Sequence, residues 1–178
     1  MMAAGVRRRY LLALTAGVAL SGCGFQPVYM PTASGAGGPA QRELAAIQVA
    51  LIPDRPGQLL RQALQDRLER AAGDGARRYD LNVAYWIAAE GIAVQSDNTA
   101  SRLRETGNAN WTLVAQDSGR TRLTSGFAKT SDALNIFDTQ YFAADLENEA
   151  LQKRIAEALA DQITMQLAIY FRKRAASG

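Results

Sequence analysis

The chain has 178 residues, a length that suits one domain with a modest core. It has no histidine and a single cysteine, so Ser-His-Asp and Cys-His nucleophilic systems are excluded and an intramolecular disulfide is impossible. Most zinc and transition-metal sites also lose their usual ligand. The formal charge of +3 comes from 20 Lys and Arg against 17 Asp and Glu. Three of those arginines, Arg7, Arg8 and Arg9, lie in the first ten residues, and without them the counts are equal. A near-neutral body gives no support to nucleic-acid binding.

The first segment in chain order is an export signal. Arg7 to Arg9 precede an apolar run from Tyr10 to Leu20, followed by small residues. The run is much shorter than the ~20 apolar residues needed to cross hydrocarbon, so it does not fit a permanent span. It ends in Leu20-Ser21-Gly22-Cys23, the lipobox pattern of bacterial lipoproteins. In that pattern the Cys23 thiol receives a diacylglyceryl group, and cleavage leaves Cys23 as the acylated first residue. An ordinary signal peptide with a chance cysteine is the alternative, but position, neighbours and uniqueness of the cysteine all favour the lipobox. Acylation by two or more chains anchors stably at ~0.8 kcal/mol per buried CH₂.

The expected domain plan is 1–22 removed as signal peptide, 23–42 lipidated N-terminus and flexible linker, 43–174 a single α+β domain, and 175–178 a tail. The stretch from Met30 to Ala40 is Gly-, Pro-, Ala- and Ser-rich and carries no charge, which is linker composition. Ile47, Val49 and Leu51 alternate with polar or small residues, predicting a first strand. Pro53 to Gly57 breaks it, with Asp54 a candidate N-cap and Pro56 acceptable in a first helical turn. Leu60, Leu64 and Leu68, flanked by Ala63 and Ala71, form one helical stripe that Gly73-Asp74-Gly75 ends.

Tyr79, Leu81, Val83, Tyr85 and Ile87 then alternate with Asp80, Asn82, Ala84, Trp86 and Ala88, predicting a second strand with a bulge near Ala88 to Gly91. A turn at Ser96-Asp97-Asn98 leads to a third strand, long or interrupted, over Thr99 to Ala115. Gln116 to Gly119 is a hairpin turn, and Leu123, Ser125 and Phe127 mark a fourth strand. A loop is expected from Ser131 to Tyr141. Leu151, Ile155, Leu159, Ile163, Leu167, Tyr170 and Phe171 then sustain one helical face. The basic run Arg172-Lys173-Arg174 suits the negative end of that helix.

The order β-α-β-β-β-α implies an α+β two-layer sandwich. Two amphipathic helices cover one face of a four-stranded, mostly antiparallel sheet. The first two strands flank a helix and can pair in parallel through a right-handed crossover. The uncovered face is expected to carry Asp80, Asn82, Asn110, Thr112, Arg122 and Thr124 around Trp86. Such a face is more often simply solvated than a partner surface.

With these segments in place, the chain resembles the LPS-assembly lipoprotein (LptE) family. The resemblance rests on Cys23-Gly24-Phe25-Gln26-Pro27-Val28-Tyr29, on Arg55-Pro56-Gly57-Gln58-Leu59-Leu60, and on Leu159-Ala160-Asp161-Gln162-Ile163 in the last helix. It implies a protein that is not an enzyme and needs no cofactor beyond covalent lipid on Cys23. It implies an outer-membrane lipoprotein of a Gram-negative bacterium whose partners are an LptD-like β-barrel, lipopolysaccharide and the membrane, not nucleic acid. Such a protein plugs the barrel, assists its assembly and helps deliver lipopolysaccharide to the outer leaflet. Arg102, Arg104, Arg120, Arg122 and Lys129 are candidate contacts for anionic lipopolysaccharide or for the partner, although solubilising surface charge is the commoner role of such residues. Gly24, where an Asp would favour inner-membrane retention, points to outer-membrane delivery. The alternatives are an auxiliary lipoprotein of an ABC-type lipid transport system and a tethered enzyme using carboxylates such as Asp138 and Asp145.

Overall fold

In the computed structural model, the described residues are 38–69, 76–94, 100–135 and 141–177. The signal segment, Cys23, the Gly24 to Tyr29 motif, most of the linker, the Gly73-Asp74-Gly75 stop, the Ser96 to Asn98 turn and Asp138 lie outside them.

The elements in order are α1 (Pro39–Ala45), β1 (Ile47–Val49), α2 (Arg55–Glu69), β2 (Tyr79–Val94), β3 (Ala100–Ala115), β4 (Arg122–Asn135) and α3 (Tyr141–Ser177). The strands form one sheet in sequence order, β1-β2-β3-β4. β1 pairs with β2 in parallel and the other pairs are antiparallel. This is the expected α+β arrangement, with α1 added before the first strand.

α1 occupies the end of the segment whose composition predicts a linker. Pro39 sits at the start of the helix, where a missing N–H costs nothing. Ala40 and Leu44 are buried. Glu43 accepts a 2.6 Å hydrogen bond from the Tyr79 hydroxyl and pairs with Arg78 at 2.9 Å, tying α1 to the start of β2.

β1 is shorter than the alternation suggests, because Leu51 is 76% exposed whereas Ile52 is buried. The first turn of α2 closes on the Asp54 carbonyl, which accepts from Gln58 N–H at 3.0 Å. Asp54 has φ 66°, a left-handed conformation that Asp tolerates and that differs from the extended backbone of an ordinary N-cap. Leu60, Ala63, Leu64 and Leu68 are all buried, as their spacing predicts.

Two ion pairs join α2 to α3, Arg55–Glu149 at 2.6 Å and Arg67–Asp161 at 2.5 Å. The partners are twelve residues apart on each helix, so the two helices run parallel and in step over ~18 Å. The Arg67 hydrogen bond holds the Asp161 carboxyl below its usual range.

Both helices cover the same sheet face. Leu81, Val83, Ala109, Trp111, Leu113 and Ala128 are buried there beneath Leu151, Ile155, Leu159, Ile163 and Leu167 of α3. Trp111 donates its indole N–H to Gln166 on α3 at 2.9 Å. α3 approaches the sheet closely at Gly107, where a β-carbon would collide with Ile155.

Three further expectations need correction. β4 continues to Asn135, so Ser131 to Asn135 is strand rather than loop; Asp132 is held there by a 2.7 Å bond from Arg154. The register between β2 and β3 shifts twice, between Gly91 and Ala93 and again between Ala93 and Val94, so the irregularity begins only at the end of the expected Ala88 to Gly91 and takes in Ile92. The phase of β4 is also inverted. Trp111 pairs with Gly126 and Ala109 with Ala128, which puts Thr124 on the helix side and Ser125 and Phe127 on the open side. Gly126 is required because a β-carbon would lie 2.5 Å from the Trp111 ring.

Candidate functional site

The open sheet face follows from the register. Its cross-strand rows are Asn82–Thr112–Ser125, Ala84–Asn110–Phe127, Trp86–Asn108–Lys129 and Ala88–Thr106–Ser131. Hydroxyl and amide side chains dominate, with two large aromatics among them. Trp86 is 47% and Phe127 48% exposed. The sequence singled out Trp86 as an isolated aromatic; the inverted phase of β4 adds Phe127 one row away. The signal for Phe127 was the small pair Gly126 and Ala128 beside it, which marks the crowded side of β4.

The five candidate cations do not form one cluster. Arg102 and Arg104 lie at the end of the sheet where β3 begins, and Arg120 and Arg122 lie at the β3–β4 turn. Arg122 pairs with Val114, ten residues along β3 from Arg104, which separates the two groups by about 34 Å. Lys129 lies between them on β4, opposite Asn108. The open face therefore carries arginines at its two ends, with Lys129 among neutral polar side chains in its middle.

Local contacts position these side chains. Arg104 pairs with Glu90 across the sheet at 3.1 Å. Arg120 pairs with Asp80 at 2.8 Å and takes a left-handed φ of 46° at the turn. The turn is closed by the Arg120 N–H donating to the Asp117 carbonyl and the Thr121 N–H donating to Asp117 Oδ1. That last bond holds the Asp117 carboxyl below its usual range. Arg122 donates to the Ser125 hydroxyl. At the other end burial opposes ionisation of Asp132, but the Arg154 bond, the Ala133 N–H and the charges of Arg154 and, least, Arg102 outweigh it and lower its pKa.

The edge strand β4 is capped by α3. Gln162 accepts from Lys129 N–H and donates to its carbonyl, both at 3.3 Å, while Gln166 donates to the Phe127 carbonyl at 3.1 Å. These glutamines satisfy outward-facing backbone groups that would otherwise invite another strand. Beneath the sheet, Glu105 is 5% exposed and its Oε2 has no partner among the described residues. Burial raises its pKa and pushes the nearby Tyr85 hydroxyl up to about 12.

No group of three or more Cys, Asp or Glu among the described residues is arranged to hold a metal ion. No described helix is long and apolar enough to cross a membrane. Asp145 is exposed on the first turns of α3.

The fold is similar to that of solved bacterial lipoproteins. A lipoprotein of Caulobacter crescentus superposes with TM-score 0.61 at 21% identity, covering 75% of this chain and 96% of that one. Rare lipoprotein B of Shewanella oneidensis gives 0.51 at 13% identity, covering 68% and 91%. Lipoprotein B of Nitrosomonas europaea gives 0.52 at 14% identity, covering 70% and 81%. No curated protein matches the chain. The sequence profile described as LptE, lipopolysaccharide-assembly, matches residues 44–167, from the end of α1 through most of α3. The chain therefore belongs to the LptE family of lipopolysaccharide-assembly proteins.

Proposed function

We propose that this protein is an outer-membrane lipoprotein that binds and plugs an LptD-like lipopolysaccharide-inserting β-barrel. In that position it assists assembly of the barrel and passage of lipopolysaccharide to the outer leaflet. The observation that carries this reading is the family match over residues 44–167. The sequence before it supplies an anchor, with Cys23 as the lipid attachment site after removal of 1–22. Residues 23–42 then tether a single domain, 43–174, close to the bilayer, with 175–178 as a tail.

The open face supports the reading physically. The lumen of an outer-membrane barrel is polar. A rigid body presenting Thr, Ser and Asn side chains, with Trp86 and Phe127 as larger anchors, suits such a wall. Arg102 and Arg104 at one end, Arg120 and Arg122 at the other, and Lys129 between them are the proposed contacts for anionic lipopolysaccharide or for the barrel. The protein performs no catalysis in this role and uses no cofactor other than its covalent lipid.

Depletion of the protein tests the role. Newly made lipopolysaccharide should stop reaching the outer leaflet, and the folded barrel should decline. Normal surface lipopolysaccharide after depletion refutes the proposal.

A further inference from the structure

The outer edge of β1 is held by two arginines. In a parallel pair with β2, the odd residues of β1 turn their carbonyls away from the sheet. Arg77 Nη1 donates to the carbonyls of Ala45 at 2.9 Å and Ile47 at 2.8 Å. Arg61 Nε reaches the Val49 carbonyl at 3.5 Å. Each contact uses one nitrogen of a guanidinium that has five N–H donors.

The two side chains line one groove of about 300 Å³ with Ile47, Gln48, Val49, Gln65 and Leu68. Among the described residues, no acidic side chain lines it. Six other arginines, Arg55, Arg67, Arg78, Arg104, Arg120 and Arg154, form ion pairs. Among the described residues, neither Arg61 nor Arg77 does. The groove between α2 and α3 makes the contrast plain: it has a similar volume, but Asp66, Glu157 and Asp161 face Arg67 and Lys153 there and neutralise them.

We propose that the groove along β1 is an anion site that binds a phosphate group through Arg61 and Arg77. Two short backbone contacts pre-orient the Arg77 guanidinium and so reduce the side-chain entropy it loses on binding, while Arg61 is held more loosely by its single long contact. A phosphomonoester carries close to two negative charges at neutral pH, matching two cations that form no ion pair among the described residues. Planar guanidinium forks donate to phosphate oxygens in pairs, as a point-charge ammonium does not. The site lies on the opposite sheet edge from β4, and its existence does not depend on the proposed role at the barrel.

The test uses the full chain in neutral maltoside micelles, with the arginine Nε–H signals followed by NMR. One arm titrates inorganic phosphate; the other dopes the micelles with phosphatidic acid, with phosphatidylcholine as control. Saturable shifts at Arg61 and Arg77 are expected in at least one arm. Response to phosphatidic acid alone assigns a lipid-borne phosphate, and response to inorganic phosphate assigns the free ion. Arg61→Gln should weaken binding by about tenfold or more, as expected for the loss of one charge-assisted fork. Its long bond to Val49 makes it the variant least prone to disturb β1. Arg61→Lys, which keeps the charge and loses the fork, should fall between. Absence of saturable shifts in both arms, or unchanged affinity in folded Arg61→Gln, overturns the proposal and leaves the two arginines as caps of the β1 edge.

Discussion

Gly107→Ala sets two effects of opposite sign against each other. Alanine in place of glycine inside a strand ordinarily stabilises by about 0.5–1 kcal/mol through lost backbone entropy. Here the new methyl would collide with Ile155 Cγ2, lie 3.0 Å from Leu159 Cδ1 and 3.4 Å from Tyr85 Cε2. Ile155 and Leu159 are fully buried and have no free volume to move into. Overpacking of this kind costs about 1–3 kcal/mol, so the steric term should win and leave a net loss of about 1–2 kcal/mol. Urea unfolding followed by circular dichroism measures it. Ile155→Ala alone should cost about 2–5 kcal/mol by leaving a cavity. In the double variant the new methyl occupies part of that cavity, so the two losses should fall short of additivity by ~1 kcal/mol. A stabilised Gly107→Ala, or a double variant additive within about 0.5 kcal/mol, would refute the close approach of α3 to β3.

Further outcomes follow from single residues. Burial raises the Glu105 pKa, so the folded protein binds more protons than the unfolded chain between the two pKa values, and this residue's contribution to stability falls as pH rises through that window. Glu105→Gln should therefore stabilise at neutral pH, with the gain fading in acid; equal stability curves across pH would contradict a carboxyl whose burial outweighs its hydrogen bond with Gln152. Cys23→Ala should abolish incorporation of labelled fatty acid and leave uncleaved precursor, and continued labelling would remove the lipobox assignment. Replacing Arg102 and Arg104 with Ala should reduce photo-crosslinking to lipopolysaccharide while changing stability by no more than about 1 kcal/mol, since the Arg104 pair is exposed. Unchanged crosslinking would leave them as solubilising charges.

What the sequence reveals of the fold depends on where apolar and polar choices coincide with one period. The α3 stripe and the β2 alternation were legible because Leu159 and Leu81 must face a core and their neighbours need not. In β4 the apolar pattern points to the opposite phase, because the buried side holds Gly126 and Ala128, made small by Trp111 and α3, while Phe127 faces outward. Ser131 and Asp132 have loop composition, yet they stay in the sheet through pairing with Thr106 and Glu105 and through the Arg154 bond. α1 is too short to be stable alone, and its helicity depends on burying Ala40 and Leu44, which no local pattern encodes. The candidate cations were legible as residue types, but their division between two ends of the sheet needed the register. The Arg61 and Arg77 pair was hidden because sixteen positions separate them in sequence and a helix and a strand edge bring them together.

The central claim is association with an outer-membrane barrel, and a native pull-down tests it most directly. The lipidated full chain, tagged at its C-terminus and extracted from outer membranes in mild detergent, should carry a large β-barrel protein in near-equal amount. Recovery of inner-membrane or periplasmic transport components without a barrel would contradict the account.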